Sequence, residues 1–143
     1  MSLYLDTSAL VKWYVAETDS DVFDDFIRGR AGAHISRLTV VELRCALSRR
    51  RRNREISAAV ERGAFKLFES HVRDGLLDVL TMHDAHFVGA LQILDDLRHI
   101  PLRTQDALHL AVARANRVKA IATADSIMIS AAKALKFETH AFH

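Results

Sequence analysis

Short runs of consecutive apolar residues alternate along this chain with longer stretches in which apolar residues recur every three or four positions. The first run, Leu3-Tyr4-Leu5, shows no polar alternation, which suits a strand covered on both faces, as in a parallel sheet. It stops on Asp6-Thr7-Ser8, and the apolar residues that follow predict a helix over 8–16. A second helix is predicted over 19–28, where Val22, Phe23, Phe26 and Ile27 share a stripe and acids lie early, favourably for the helix dipole. Residues 33–36 read as a second strand, and a helix from Leu38 runs into Arg49-Arg50-Arg51-Arg52. Ile56, Val60, Ala64, Leu67, Phe68 and Val72 then keep helical spacing over 56–72, with Gly75 as the stop. A third strand over 76–80, helices over 85–99 and 104–116 separated by Pro101, a fourth strand over 118–123 and a last helix over 126–136 follow. Residues 137–142 would add an edge strand. This alternation predicts an α/β fold: a three-layer α/β/α sandwich around a central, mainly parallel sheet of four to five strands. Ligands of such sheets bind outside the strands' carboxyl ends, which is where Asp6 falls.

Composition narrows this picture without redirecting it. A length of 143 residues with 50% hydrophobic content suits one domain over 1–143 with one substantial core. The formal net charge of +2 argues neither for nor against a nucleic-acid partner. Cys45 is the only cysteine, which rules out an internal disulfide, fits a reducing cytoplasm, and is expected to be a small core residue. Asp6 interrupts the amino terminus before a signal-peptide core can develop, and no uncharged apolar run approaches a membrane span. The expected location is cytoplasmic, with no membrane contact.

Four acids stand out by position: Asp6 after a strand, Glu42 one turn into a helix, Asp106 in a helix's first turn, and Asp125 just after a strand. Asp6 and Asp125 are equally explained as helix N-caps, and Asp106 as a dipole partner. Glu42 is harder to explain that way, because its neighbours at helical spacing are Leu38, Thr39, Cys45 and Ala46, while the solvated stripe runs through Arg37, Arg44, Ser48 and Arg51. Asp106 likewise shares its face with His109, Leu110 and Ala113. Gathered in one place, such acids repel: two unit charges ~4 Å apart cost ~4 kcal/mol at an effective dielectric near 20. A cluster of four therefore implies a bound cation. With oxygen ligands only and no zinc-type spacing, the expected ion is Mg²⁺ or Mn²⁺, which activates water and steadies a phosphate in hydrolysis.

Asp6-Thr7-Ser8, the segment from Ser36 to Glu42, Thr104-Gln-Asp106-Ala-Leu-His-Leu-Ala111 and Ala122-Thr123-Ala124-Asp125 together resemble the PIN-domain ribonucleases, most closely the VapC-type toxins of bacterial toxin-antitoxin pairs. The resemblance covers essentially the whole chain, with four motifs in the right order and at the right intervals. It implies a metal-dependent endoribonuclease whose acids correspond to Asp6, Glu42, Asp106 and Asp125, with Ser8 and Thr123 as hydroxyls that orient them. It also implies an RNA substrate and a small DNA-binding antitoxin as inhibitor. One departure is local: Lys136 stands where the family commonly has a glycine after the last helix.

Other chemistry is poorly supported. Ser8 lacks a nucleophile elbow, Cys45 has no charged partner nearby in sequence, and no Gly-rich phosphate loop exists. His83 and His86 are expected to be solvated, His109 to pack or to support a neighbouring ligand, and Trp13 and Tyr14 to be buried in a core or interface. A phosphatase of the haloacid-dehalogenase type needs a second aspartate at position 8. A non-catalytic binding module, with the acids only as caps, and a stand-alone nuclease without antitoxin both stay open. Surplus apolar surface on the helices between Leu38 and Val72 predicts a homodimer, and a groove beside Leu47, Ile56 and Val60 for an antitoxin helix. Arg49, Arg50, Arg51, Arg52 and Arg54 form either a solvated helix end or a binding patch, for RNA phosphates or for acidic antitoxin.

Overall fold

The computed structural model describes residues 2–143. Strands β1 (Leu3–Leu5), β2 (Ala33–Ser36), β3 (Leu77–Leu80), β4 (Ala120–Thr123) and β5 (Glu138–Ala141) form one all-parallel sheet in the order β3-β2-β1-β4-β5. The chain begins at the centre, steps outward through β2 to β3, then crosses to the other side of β1 to lay down β4 and β5. Its direction of progression thus reverses beside β1, which opens a crevice outside the carboxyl ends of β1 and β4.

Both faces of the sheet are covered, which accounts for the unbroken apolar run at the start. Leu3 and Leu5 pack with Ile35, Phe23 of α2 (Ser20–Arg28), Leu43 and Leu47 of α3 (Arg37–Arg52) and Phe68 of α4 (Ala58–Arg73). Tyr4 points the other way, with Ile121, to Ile93 of α5 (Asp84–Asp96), Leu110 and Val112 of α6 (Thr104–Ala115) and Met128 of α7 (Ser126–Ala134). The result is the expected α/β/α sandwich, with five strands and no antiparallel member. No helix among the described residues is long and apolar enough to cross a membrane.

Several expectations need correction. The first helix is only α1 (Thr7–Leu10), tightening into a 3₁₀ turn at Val11–Trp13 rather than continuing to residue 16. Aromatic and β-branched residues at Val11, Trp13, Tyr14 and Val15 are poor helix formers, and Lys12 is buried with its ammonium donating to the Thr18 carbonyl at 2.6 Å, which folds the chain back. Helix α5 ends at Asp96, three residues short of the predicted end. Cys45 is exposed, because the core face of α3 is Thr39, Leu43, Ala46 and Leu47. His86 is buried, its Nδ1 accepting the His83 backbone N–H at 2.9 Å at the start of α5. Leu47 is wholly inside the core and cannot line a groove. Trp13 packs on the core and stacks against His71, and Tyr14 is buried, as expected.

The helix end at Lys136 bears on stability. Lys136 has φ +69°, its N–H reaches the Lys133 carbonyl at 2.9 Å, and the Phe137 N–H reaches that of Ala132 at 2.9 Å. This is the double-bonded helix stop whose first residue past the cap is left-handed and normally glycine. A side chain in that conformation costs about 1 kcal/mol, partly offset by the lower entropy of the unfolded chain. Lys136→Gly should therefore stabilise the protein by about 0.5 kcal/mol and raise Tm by roughly 2 °C by calorimetry. A fall in Tm would mean that the Lys136 side chain contributes more than its backbone costs.

Candidate active site at the carboxyl edge of the sheet

Asp6 follows β1 and is buried. Its Oδ1 accepts the Ala9 backbone N–H at 3.1 Å and the Ser8 hydroxyl at 2.6 Å, and its Oδ2 accepts the Thr123 hydroxyl at 2.5 Å. Those hydroxyls are themselves held by β4's exit: the Ala124 N–H donates to Ser8 Oγ at 2.8 Å and the Asp125 N–H to Thr123 Oγ1 at 3.0 Å. Burial pushes the Asp6 carboxyl above its ordinary range, and the hydrogen bonds from Ser8 and Thr123 pull against that. Asp125 caps α7, its Oδ1 accepting the Ile127 N–H at 2.9 Å, which leaves Oδ2 for other work. Capping and site roles are therefore compatible in one residue.

Asp106, in the first turn of α6, is buried. Its Oδ2 accepts from the Arg103 backbone N–H at 3.1 Å and from Arg103 Nε at 3.3 Å, while Arg103 Nη2 donates to Asp125 Oδ2 at 2.8 Å. One guanidinium thus bridges two of the four acids, on a side chain 67% exposed. Glu42 projects from α3, and its Oε1 accepts Thr7 Oγ1 at 2.8 Å and His109 Nε2 at 2.5 Å. Burial pushes Glu42 upward, but the His109 and Thr7 hydrogen bonds and the Arg103 charge outweigh it and hold the carboxyl below its ordinary value.

All four acids, with Ser8, Cys45, Arg49, Arg103 and His109, line one cavity of about 570 Å³. A larger cavity of about 680 Å³ lies at the amino ends of β2 and β3, beside Phe26, Arg30, His34 and Asp78. None of the four acids reaches it, and the sheet-edge rule places chemistry at the opposite end. Among the described residues no three His, Cys, Asp or Glu side chains stand close enough to share one ion. The donor set nevertheless fits Mg²⁺ or Mn²⁺ in kind, being carboxylate oxygen throughout, and Arg103 now supplies the positive charge between Asp106 and Asp125.

The arginine run is divided by its surroundings. Arg50 is paired with Glu17, and Arg51 with Glu61 at 2.8 Å, which also takes Arg44 at 3.1 Å and ties α3 to α4. Arg49 and the paired Arg50 line the cavity, and Arg52 and Arg54 are exposed. Reading the sequence alone missed Arg103 and Thr7. Arg103 carried one signal, its place three residues before Asp106 at the helix start.

A parallel sheet whose carboxyl edge brings four carboxylates and their supporting hydroxyls to one cavity defines the class: an acid-lined α/β site. Residues 3–134 match the model of the PIN domain, and the chain belongs to the PIN domain family. Solved structures with the same fold include VapC20 of Mycobacterium tuberculosis, described as a Sarcin-Ricin loop cleaving toxin, at 16% identity and TM-score 0.70 over 91% of this chain and 95% of that one. The DNA-bound VapBC complex of Salmonella typhimurium is similar at 18% identity and TM-score 0.70, over 100% of this chain and 99% of the other. VapBC2 of Rickettsia felis, bound to a promoter fragment, matches at 14% identity and TM-score 0.70 over the whole of both chains. A comparison with curated protein sequences finds no match.

Proposed function

We propose that this PIN domain is a metal-dependent endoribonuclease, the toxin of a toxin-antitoxin pair, with Asp6, Glu42, Asp106 and Asp125 as the carboxylates that hold Mg²⁺ or Mn²⁺. The observation that carries the reading is the convergence of these four side chains, from four separate elements, on one cavity at the strand switch point. When bound, the cation supplies an activated water and charge for the phosphodiester. Ser8 and Thr123 hold Asp6 in one orientation, Thr7 and His109 hold Glu42, and Arg103 balances Asp106 and Asp125. The RNA substrate and a small DNA-binding antitoxin are supported by the resemblance to VapC toxins, whose relatives are known in VapBC complexes bound to DNA.

Competition with Arg103 gives the metal a direct test. Cleavage should stop in EDTA and return with Mg²⁺ or Mn²⁺. Arg103→Met should bind Mn²⁺ roughly tenfold more tightly than wild type by calorimetry, because one tenfold step needs only about 1.4 kcal/mol of lost competition. Cleavage undiminished in EDTA would refute the metal. A second reading, a non-catalytic module, draws on the backbone N–H bonds that Asp6, Asp106 and Asp125 all accept. It predicts neither metal binding nor cleavage.

A homodimer belongs to the same proposal. The α3–α4 pair exposes Val41, Val60 and Leu67, and a denser apolar group lies on α5, which carries Phe87, Val88, Leu91 and Leu94 outward. Large apolar side chains grouped this way mark contact surfaces. Leu91→Glu should turn a sedimenting dimer into a monomer. A wild-type protein that sediments as a monomer at high concentration would sink the dimer.

A further inference from the structure

We infer that Tyr4 and His109 form a buried hydrogen-bond chain that positions Glu42, so that both are positioning residues of the nuclease site; the inference rests on the proposed function above. Three of the four acids are steadied by backbone N–H groups at helix starts, which are rigid. Glu42 lies inside α3 and has no such support. It depends on side chains, Thr7 from α1 and His109 from α6, and both donate to Oε1. Among the described residues, Oε2 has no hydrogen-bond donor from the protein.

The direction of the chain follows from what each atom can do. An ionised carboxylate only accepts, so His109 Nε2 carries the proton that Glu42 receives. In a neutral ring Nδ1 is then an acceptor, and the atom facing it is the Tyr4 hydroxyl at 2.6 Å. Tyr4 therefore donates to His109 and His109 to Glu42. The Tyr4 oxygen in turn lies 3.4 Å from the Thr39 hydroxyl, itself fixed at the start of α3. Tyr4 is fully buried in β1 and His109 is nearly so, with the rings edge to face at 5.7 Å. Buried groups so paired cannot turn to water for a substitute, so the imidazole has one tautomer and one orientation available. Because Asp106 and His109 lie one turn apart on α6, the helix that carries one acid also aims another.

The experiment separates positioning from plain core packing. Tyr4→Phe keeps the ring and removes only the hydroxyl, His109→Leu removes the donor, and His109→Gln restores an N–H near the place of Nε2. Mn²⁺ affinity measured by calorimetry should fall about tenfold in Tyr4→Phe and between about 10- and 100-fold in His109→Leu, the range for groups that orient a ligand. His109→Gln should recover most of it. In ¹⁵N-labelled wild type, long-range imidazole correlations should show His109 protonated on Nε2, and Tyr4→Phe should release that tautomer. Packing alone would move Tm without the rescue by Gln. Equal Mn²⁺ affinity in wild type and His109→Leu, or an Nδ1-protonated ring, would overturn the chain. A wild type that binds no Mn²⁺ would overturn the proposed function first and leave Glu42 nothing to be positioned for.

Discussion

Asp6→Asn and Asp106→Asn are expected to cut RNA at least on the order of 10³-fold more slowly than wild type while remaining folded. An amide keeps the size of the side chain and removes the charge, and loss of one group that stabilises developing charge already costs on the order of 10²- to 10³-fold. The fold should tolerate the change at Asp6 for specific reasons. Asparagine caps a helix about as well as aspartate, so the bond from the Ala9 N–H survives. Its amide needs an acceptor where Thr123 or Ser8 now donates, and either hydroxyl can rotate to provide one. Burial holds the Asp6 carboxyl above its ordinary value, so the folded chain binds this proton more tightly than the unfolded chain does. Its contribution to stability therefore declines as pH rises from the unfolded value through the folded one. Asp6→Asn abolishes that decline, and its Tm advantage over wild type should grow as pH rises above the ordinary carboxylate value. Glu42, held below its ordinary value, works in the opposite sense, adding stability that is lost as pH falls through the folded value. Full cleavage by purified Asp106→Asn would refute the four-carboxylate site.

Local chemistry made much of this architecture legible, and non-local contact hid the rest. Residues 33–36 form a strand between a turn bracketed by Gly29 and Gly32 and a capping serine; Ser36 accepts the Thr39 N–H at the start of α3. Glu42 and Asp106 could be singled out because an acid on an apolar helical face breaks the period. Helical spacing served for α2 and α4 but misled at two other places. The 8–16 stretch has the spacing of a helix, yet its aromatic and β-branched residues and the buried Lys12 end α1 after one turn. Cys45, expected in the core as a small residue without a charged partner nearby in sequence, follows Glu42 by three residues and turns with it toward the cavity. The contacts that complete the site span 22 residues for Arg103 and Asp125, 67 for Glu42 and His109, and 105 for Tyr4 and His109. No periodicity reports pairs so distant. They follow from the register that sets β1 beside β4 and from the packing of α6 on the Tyr4 face.

The arginine run should reveal its ligand through salt. With all five arginines on single-stranded RNA phosphates, the slope of log affinity against log salt would include about −3.5 from them. The structure lowers that figure. Arg50 and Arg51 are already paired with Glu17 and Glu61, so contact with RNA would require breaking an existing ion pair. Arg49 on the cavity wall and the exposed Arg52 and Arg54 remain, and three contacts at about −0.7 each give a slope near −2. Over a fourfold rise in salt that amounts to roughly a 20-fold loss of affinity. Asp6→Asn provides a protein that binds without cutting, and its titration with RNA can be compared with a further variant carrying serine at positions 49, 52 and 54. The serine variant should show a slope shallower by about 2. Serine at positions 50 and 51 should leave the slope nearly unchanged and lower Tm instead, since Glu61 would lose one of its two partners in a buried position. An RNA slope that does not respond to the triple substitution would assign these arginines to the antitoxin or to solvent, and titration with an acidic antitoxin peptide would then distinguish those two.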